Sequence, residues 1–271
     1  MFEDTILSLT VGVVAGFMAG MLGLGGGFLV VPYLNLVLGL PMHKAVGTSL
    51  LVRFFTAVSA SLTYIHQKKI DYKLGLIIIV AVVPGAFLGA YLTQFIGSNV
   101  LRIIFGLLVL FTSLNMLFKI KFKVWKLHGF KNFWGNKNWK RVIYDGEKKF
   151  EYFVNPFPVL VGTFMVGVMA GMLGIGGGGL QVPFLTLMIG VPIHVSIATT
   201  IFTMIFSSTS GSIEHVMLGN IVFSLVVLLG IGVTVGSYVG AKVSRKIPAT
   251  TMRKIFGVVL LLIALRMLLI F

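Results

Sequence analysis

The chain has 271 residues, of which 57% are hydrophobic and only 11% charged, with a net charge of +15 and a mean hydropathy of +1.03. These values lie far outside the range of a soluble domain and point to an integral membrane protein. The absence of cysteine excludes a disulfide framework, thiolate chemistry and Cys-based metal sites.

Taken in chain order, the first predicted helix covers 5–22. Glu3 and Asp4 precede it where a secretory leader would carry basic residues, and no small-residue cleavage site follows, so no signal peptide is expected. The run Gly23–Gly27 then breaks the helix, because each glycine disfavours helix by about 1 kcal/mol relative to alanine. The next segment, 28–40, is near 20 Å long at 1.5 Å per residue, too short to span comfortably. Apolar segments at 43–65, 72–96 and 99–118 complete the set. A basic linker occupies 119–155. Five more segments follow at 156–173, 179–191, 194–216, 221–245 and 250–270, with a second break at Gly174–Gly178.

The two sets are copies of one another. Residues 16–36 read GFMAGMLGLGGGFLVVPYLNL, and residues 167–187 read GVMAGMLGIGGGGLQVPFLTL, at an offset of 151 positions. The match runs on through Gly39, Pro41, His43 and Thr48, which fall on Gly190, Pro192, His194 and Thr199. It returns at Gly85, Gly89, Arg102 and Gly106, which fall on Gly236, Gly240, Arg253 and Gly257. The chain is therefore read as a membrane repeat over 1–118, a linker over 119–155 and a second membrane repeat over 156–271. The fold class expected is all-α and membrane-embedded, with about five helical segments per repeat and glycine-broken short helices near the membrane centre. A duplicated half with a glycine-interrupted apolar segment is the pattern by which transport sites are found in sequence.

Charge placement orients the halves. The linker Lys119–Asn155 carries ten Lys or Arg against three acids, so the positive-inside rule makes it cytoplasmic. The loop His66–Lys73 is basic, whereas its counterpart Met217–Ser224 is uncharged. One loop later the pattern reverses: Gly97–Arg102 has one charge and Lys242–Lys254 has five. The basic loop changes sides between the halves, as expected for inverted repeats with an odd number of segments, and both termini are then expected outside.

Other patterns have plainer readings. The linker interleaves basic residues with Trp125, Trp134 and Trp139, which beside a membrane fits anionic lipid headgroups better than nucleic acid. The run Gly174–Gly179 contains G-x-G-x-x-G, but no βαβ context surrounds it and no GK[ST] follows, so nucleotide binding is not expected. Gly12, Gly16 and Gly20, like Gly232, Gly236 and Gly240, read as helix-packing faces.

An anion site is the sharper reading of the two glycine clusters. Consecutive glycines expose backbone N–H groups and allow close approach, and at a helix N-terminus those groups favour negative charge. Gly23, Gly25, Gly26 and Gly27 supply one such turn, and Gly174, Gly176, Gly177 and Gly178 the other. Arg53 falls near the middle of its span, facing Met204 in the repeat alignment, and an intramembrane arginine is by default a functional residue. Its bidentate donors suit the oxygens of a sulfite or sulfonate. Thr48, Ser49, Thr199, Thr200 and Gln181 add hydroxyl and amide donors nearby. His43 and His194 sit at matched interfacial positions, where a structural cap is expected and no metal-ligand spacing exists.

The paired pattern G-M-L-G-[LI]-G-G-G, V-P-[YF]-L, P-x-H and A-[VI]-[GA]-T-[ST] resembles the TauE/SafE family of sulfite exporters. The resemblance covers the chain outside the linker. It implies a polytopic carrier for small sulfur-containing anions such as sulfite or organosulfonates, expected in the cytoplasmic membrane. The scattered His residues and Glu214 offer neither a nucleophile–base pair nor a metal set within the spans, so no enzyme, metal or cofactor is expected. Acids are scarce: of seven, only Glu214, beside His215, lies near the end of a span. Coupling to protons or sodium is therefore not expected. An anion leaving a cell that is negative inside gains about 2.3 kcal/mol per charge per 100 mV, enough to drive efflux by alternating access. An anion channel, or a carrier for another small organic anion, is the alternative.

Overall fold

The computed structural model describes residues 2–118, 139–145, 148–175, 178–244 and 249–269. In the first half, α1 (Phe2–Leu22), α2 (Gly27–Pro32), α3 (Met42–His66), α4 (Tyr72–Leu92) and α5 (Ser98–Phe118) follow in order. A two-stranded antiparallel hairpin comes next, β1 (Trp139–Asp145) and β2 (Lys148–Val154). The second half repeats the series as α6 (Pro156–Leu173), α7 (Gly178–Pro183), α8 (Ile193–Met217), α9 (Phe223–Val243) and α10 (Ala249–Leu269). The helical segments fall within a few residues of the predicted ones. The hairpin is a departure from an all-helical chain and occupies part of the predicted linker, while 119–138, with Trp125 and Trp134, lies outside the described residues.

Local chemistry explains the boundaries. Asp71 caps α4 by accepting from the Leu74 N–H at 3.0 Å, and Asn155 caps α6 by accepting from the Phe157 N–H at 3.1 Å. Pro32 and Pro183 end the short α2 and α7, and wider π-helical turns follow over Tyr33–Val37 and Phe184–Ile189. Proline offers no N–H to the α-helical ladder, and a wider turn is one way to go on past it.

Among the described residues, seven helices are long and apolar enough to cross a membrane: Thr5–Leu22, Met42–His66, Tyr72–Phe95, Ser98–Phe118, Pro156–Leu173, Ile193–Met217 and Phe223–Val243. Their outer faces carry Leu76, Val80, Val227, Ile231 and Val235, all more than half exposed. An apolar surface on that scale is a lipid-facing one.

Glycines set how the helices pair. Gly12 faces Leu229 and Gly232, Gly16 faces Val233, and Gly20 faces Ser237, so α1 and α9 run parallel with backbones in contact. The equivalent pair, α4 with α6, does the same: Gly85 faces Phe164 and Gly167, and Gly89 faces Val168. Both are the small-residue packing that membranes favour, since lipid leaves little apolar gain between helices.

Two helices lie at the centre. α3 packs along α9 and against α8, and α8 packs along α4. Between α3 and α8, Gly47 lies beside His215 and Leu50 beside Gly211, so numbers rise on one helix as they fall on the other and the pair is antiparallel. The same holds for α5 and α10, where Gly106 meets Leu268 and Ser113 donates to the Gly257 carbonyl at 2.8 Å. Each of these pairings maps onto itself or onto another of them under the repeat offset.

A side chain at Gly16 would start 2.4 Å from the Val233 carbonyl oxygen. Gly16→Leu is expected to cost about 1–3 kcal/mol or more by overpacking, lowering the melting temperature in detergent. Gly97→Ala, with nothing within 4 Å of its added carbon, should leave it unchanged.

Candidate functional site

The two glycine turns meet in the interior. After α1 the chain turns through Gly23, Gly25 and Gly26, all at positive φ (71°, 87° and 66°), a region that glycine adopts without a Cβ penalty. The second turn begins at Gly174, also at positive φ, which ends α6. They touch backbone to backbone: a Cβ on Gly27 would lie 2.3 Å from the Gly174 carbonyl oxygen, and one on Gly178 would lie 2.1 Å from that of Gly23. Gly176 and Gly177 lie outside the described residues. Three of the described amides are engaged locally, with Gly23 N–H donating to the Ala19 carbonyl, Gly27 N–H to that of Gly25 and Gly174 N–H to that of Ala170.

Arg53 reaches this junction from the middle of α3. It flanks Gly25 together with Met204, its counterpart in the other half: a carbon on Gly25 would meet Met204 Cε at 2.9 Å and Arg53 Cδ at 3.3 Å. Arg53 is 1% exposed, so it does not reach toward a membrane surface. Its Nε, Nη1 and Nη2 are all buried without a hydrogen-bond partner among the described residues. Burying an ion uncompensated costs several kcal/mol even after relaxation. A buried guanidinium calls for acceptors, and the described residues supply none to it.

The other expected donors divide into two kinds. Thr48 Oγ1 accepts from the Val222 N–H and Thr199 Oγ1 from the Asp71 N–H, each at 3.0 Å. These bonds are equivalent under the repeat offset and tie each central helix to the loop before a helix of the opposite half. Accepting leaves each O–H hydrogen for a second partner. Ser49 Oγ donates to the Gly174 carbonyl at 3.1 Å, holding the second turn. Its counterpart Thr200 has a buried Oγ1 with no partner among the described residues. Gln181, 1% exposed on α7, donates from Nε2 to Thr203 Oγ1 at 3.0 Å. Arg53, Thr200 and Gln181 have no equivalent in kind or state across the repeat. The junction is thus symmetric in backbone and one-sided in charge.

Comparison with known proteins fits this arrangement. The family model described as sulfite exporter TauE/SafE matches residues 8–267. The chain belongs to this family. Among its relatives, a probable membrane transporter protein of Bacillus subtilis, YunE, is 33% identical over 269 residues, covering 95% of each chain. A probable membrane transporter protein of Methanocaldococcus jannaschii, MJ0441, is 27% identical, covering 97% of this chain and 95% of its own. A shorter match, 37% identical over 34% of this chain and 19% of the relative, is to sulfite exporter TauE/SafE family protein 2 of Arabidopsis thaliana. No solved structure matches. This exporter-family chain is a multi-pass membrane transporter.

His43 Nε2 lies 3.0 Å from the Thr93 carbonyl and 2.9 Å from that of Ile96, capping the end of α4. Glu214 and His215 are buried on α8, with His215 Nε2 3.4 Å from the Gly171 carbonyl. Among the described residues no group of three potential metal ligands comes together.

One polar cluster carries no local signal in the sequence. Asp71, next to the Thr199 bond, is fully buried and accepts from Arg141 Nε at 2.8 Å, from Arg141 Nη2, and from the Tyr152 hydroxyl at 2.5 Å. The hairpin is thereby strapped to the cap of α4. Burial alone would raise the Asp71 carboxyl, but bonds from Arg141, Leu74 and Tyr152 and the Arg141 charge bring it below its ordinary value. Hydrogen bonding to Asp71 raises the Arg141 guanidinium, and burial followed by the carboxylate raises the Tyr152 phenol.

Arg141→Ala strands the Asp71 carboxylate and should destabilise the chain by about 3–5 kcal/mol, with hydrogen exchange accelerated across 139–154. Because the folded Asp71 pKa is depressed, its contribution is complete above the unfolded value of about 3.9 and fades as pH falls through the folded one. Exchange protection of the hairpin should accordingly hold from neutral pH down to about 5 and drop only in stronger acid.

Proposed function

We propose that this transporter moves a small sulfur-containing anion, sulfite or an organosulfonate, out of the cell by alternating access, with Arg53 as the charge that receives it. The observation that carries the reading is the buried Arg53 guanidinium, beside the two glycine turns and unpartnered at all three nitrogens among the described residues. A planar fork of donors matches two oxygens of an SO3 group. The amides of Gly25, Gly26 and Gly178, the Thr200 hydroxyl and the Gln181 side chain are the neighbours assigned to the remaining oxygens, with Thr48, Ser49 and Thr199 bracing the turns. Gly23, Gly27 and Gly174 shape them. The description of the family and the name of its Arabidopsis relative, both sulfite exporter, support the substrate class.

The halves 1–118 and 156–271 are assigned as inverted copies in the cytoplasmic membrane, with the linker 119–155 cytoplasmic and both termini outside. The antiparallel crossings of α3 with α8 and of α5 with α10 support the inversion. The Asp71–Arg141 pair supports placing the hairpin and the basic loop 66–73 on one side. Arg53 is sealed from solvent, which favours a carrier caught in a closed state over an open anion channel. The membrane potential then drives efflux without a coupling ion.

In proteoliposomes under an imposed potential, saturable sulfite flux is expected from the wild-type chain. Arg53→Ala should reduce it at least a hundredfold, the equivalent of about 2.7 kcal/mol. Arg53→Lys should retain a fraction, keeping charge but losing the fork. Undiminished flux in Arg53→Ala would remove the arginine from the site.

A further inference from the structure

A groove of about 800 Å³ opens between α3 and α9, along the part of α3 that follows Arg53. Its walls are apolar along Phe54, Phe55, Val58 and Leu62, and its mouth is polar, with His66, Gln67 and Lys242. From Phe54 to His66 the wall runs about 18 Å at 1.5 Å per residue, close to the depth of one leaflet of a roughly 30 Å hydrocarbon core. At the mouth, Lys242 Nζ stands 5.8 Å from the centroid of the Tyr238 ring. His66 Nδ1 bonds the Leu62 carbonyl at 2.6 Å, a bond that does not use its Nε2. Thr63 Oγ1 and Gln67 Oε1, on residues that line the groove, are buried without partners among the described residues.

The repeat provides an internal control. At the same offset on α8 and α4, Met217 stands for His66, Leu218 for Gln67 and Tyr91 for Lys242. Of the wall, Phe54, Phe55 and Leu62 fall on apolar Ile205, Phe206 and Ile213 while Val58 falls on Thr209, and the cationic mouth has no counterpart. The cation occurs only at the end of α3 where the sequence is basic, at Lys68 and Lys69, and at the end of α9, where Arg245 and Lys246 follow Lys242. A lysine stem lying on apolar surface with its ammonium at the interface is suited to a headgroup phosphate, and anionic lipid concentrates on the cytoplasmic leaflet.

We propose that this groove binds one anionic phospholipid of the cytoplasmic leaflet, an acyl chain along Phe55–Leu62 and the phosphate at Lys242 and His66. The leaflet rests on the orientation given under the proposed function; the lipid preference does not. It would tie a lipid to α3, the helix that carries Arg53.

The test is native mass spectrometry of the delipidated full chain, titrated with phosphatidylglycerol or with phosphatidylcholine of the same acyl chains. Wild type should bind phosphatidylglycerol at least tenfold more tightly. Lys242→Glu should abolish that preference, and Leu62→Trp should weaken both lipids by filling the wall. Leu62 is 55% exposed, so this second variant decides the matter if the first does not fold. Equal binding of the two lipids, or an unchanged preference in Lys242→Glu, would overturn the site. Displacement of the lipid by glycerol 3-phosphate at matching concentration would replace it with a soluble-phosphate site. Labelling of Ser244→Cys only from outside intact cells would overturn the leaflet, and the orientation with it, while leaving sulfite flux as a separate readout.

Discussion

Helices surrounded by lipid gain little from burying apolar side chains against one another, so close backbone contact has to hold them together. Here the contact is made through glycine at three levels. Gly12, Gly16 and Gly20 lay α1 on α9; Gly85 and Gly89 lay α4 on α6; and the two glycine turns lock at the centre through Gly27 and Gly178. The outer pairs join helices from opposite halves. Neither half therefore has a complete helical neighbourhood by itself, and the central turns lie where both sets of constraints converge.

That scaffold explains how a charged side chain is kept where Arg53 lies. Irregular backbone at membrane depth persists only where protein or a cavity surrounds it. The turns meet this condition by leaning on each other, with Ser49 holding the second one and Thr48 and Thr199 pinning the central helices to loops of the opposite half. The guanidinium, without an acceptor among the described residues, is then held in position by hydrogen bonds made elsewhere in the scaffold. The polar strap from Asp71 to Arg141 and Tyr152 adjoins the Thr199 bond, so the hairpin outside the bundle is linked by two contacts to the helix that carries Thr200.

Much of this was legible in the sequence, because apolar runs bounded by glycine, proline and charge mark helix limits with little ambiguity. The predicted 156–173 coincides with α6, and 43–65 differs from α3 by one residue at each end. Repeat alignment also isolated Arg53, since a charge with no counterpart cannot be a requirement of the duplicated scaffold. The hairpin was hidden by the basic composition of the linker, although Asp145-Gly146 between two alternating runs is a hairpin signal. The Asp71 strap had no local signal, because its partners lie 70 and 81 residues away. The use of Thr48 and Thr199 as backbone acceptors could have been suspected from their occurrence at matched positions in both halves.

The pairing of Arg53 with Met204 across Gly25 also bears on how such a molecule arises from duplication. Two identical halves crossing antiparallel at this level would bring two arginines together beside a single glycine. Their like charges would add mutual repulsion to a desolvation cost already high for one. A symmetric pair of this geometry carries the cation at both positions or at neither. Fusion into one chain removes that constraint, because each copy can then change alone, and a soft thioether can stand opposite the retained cation.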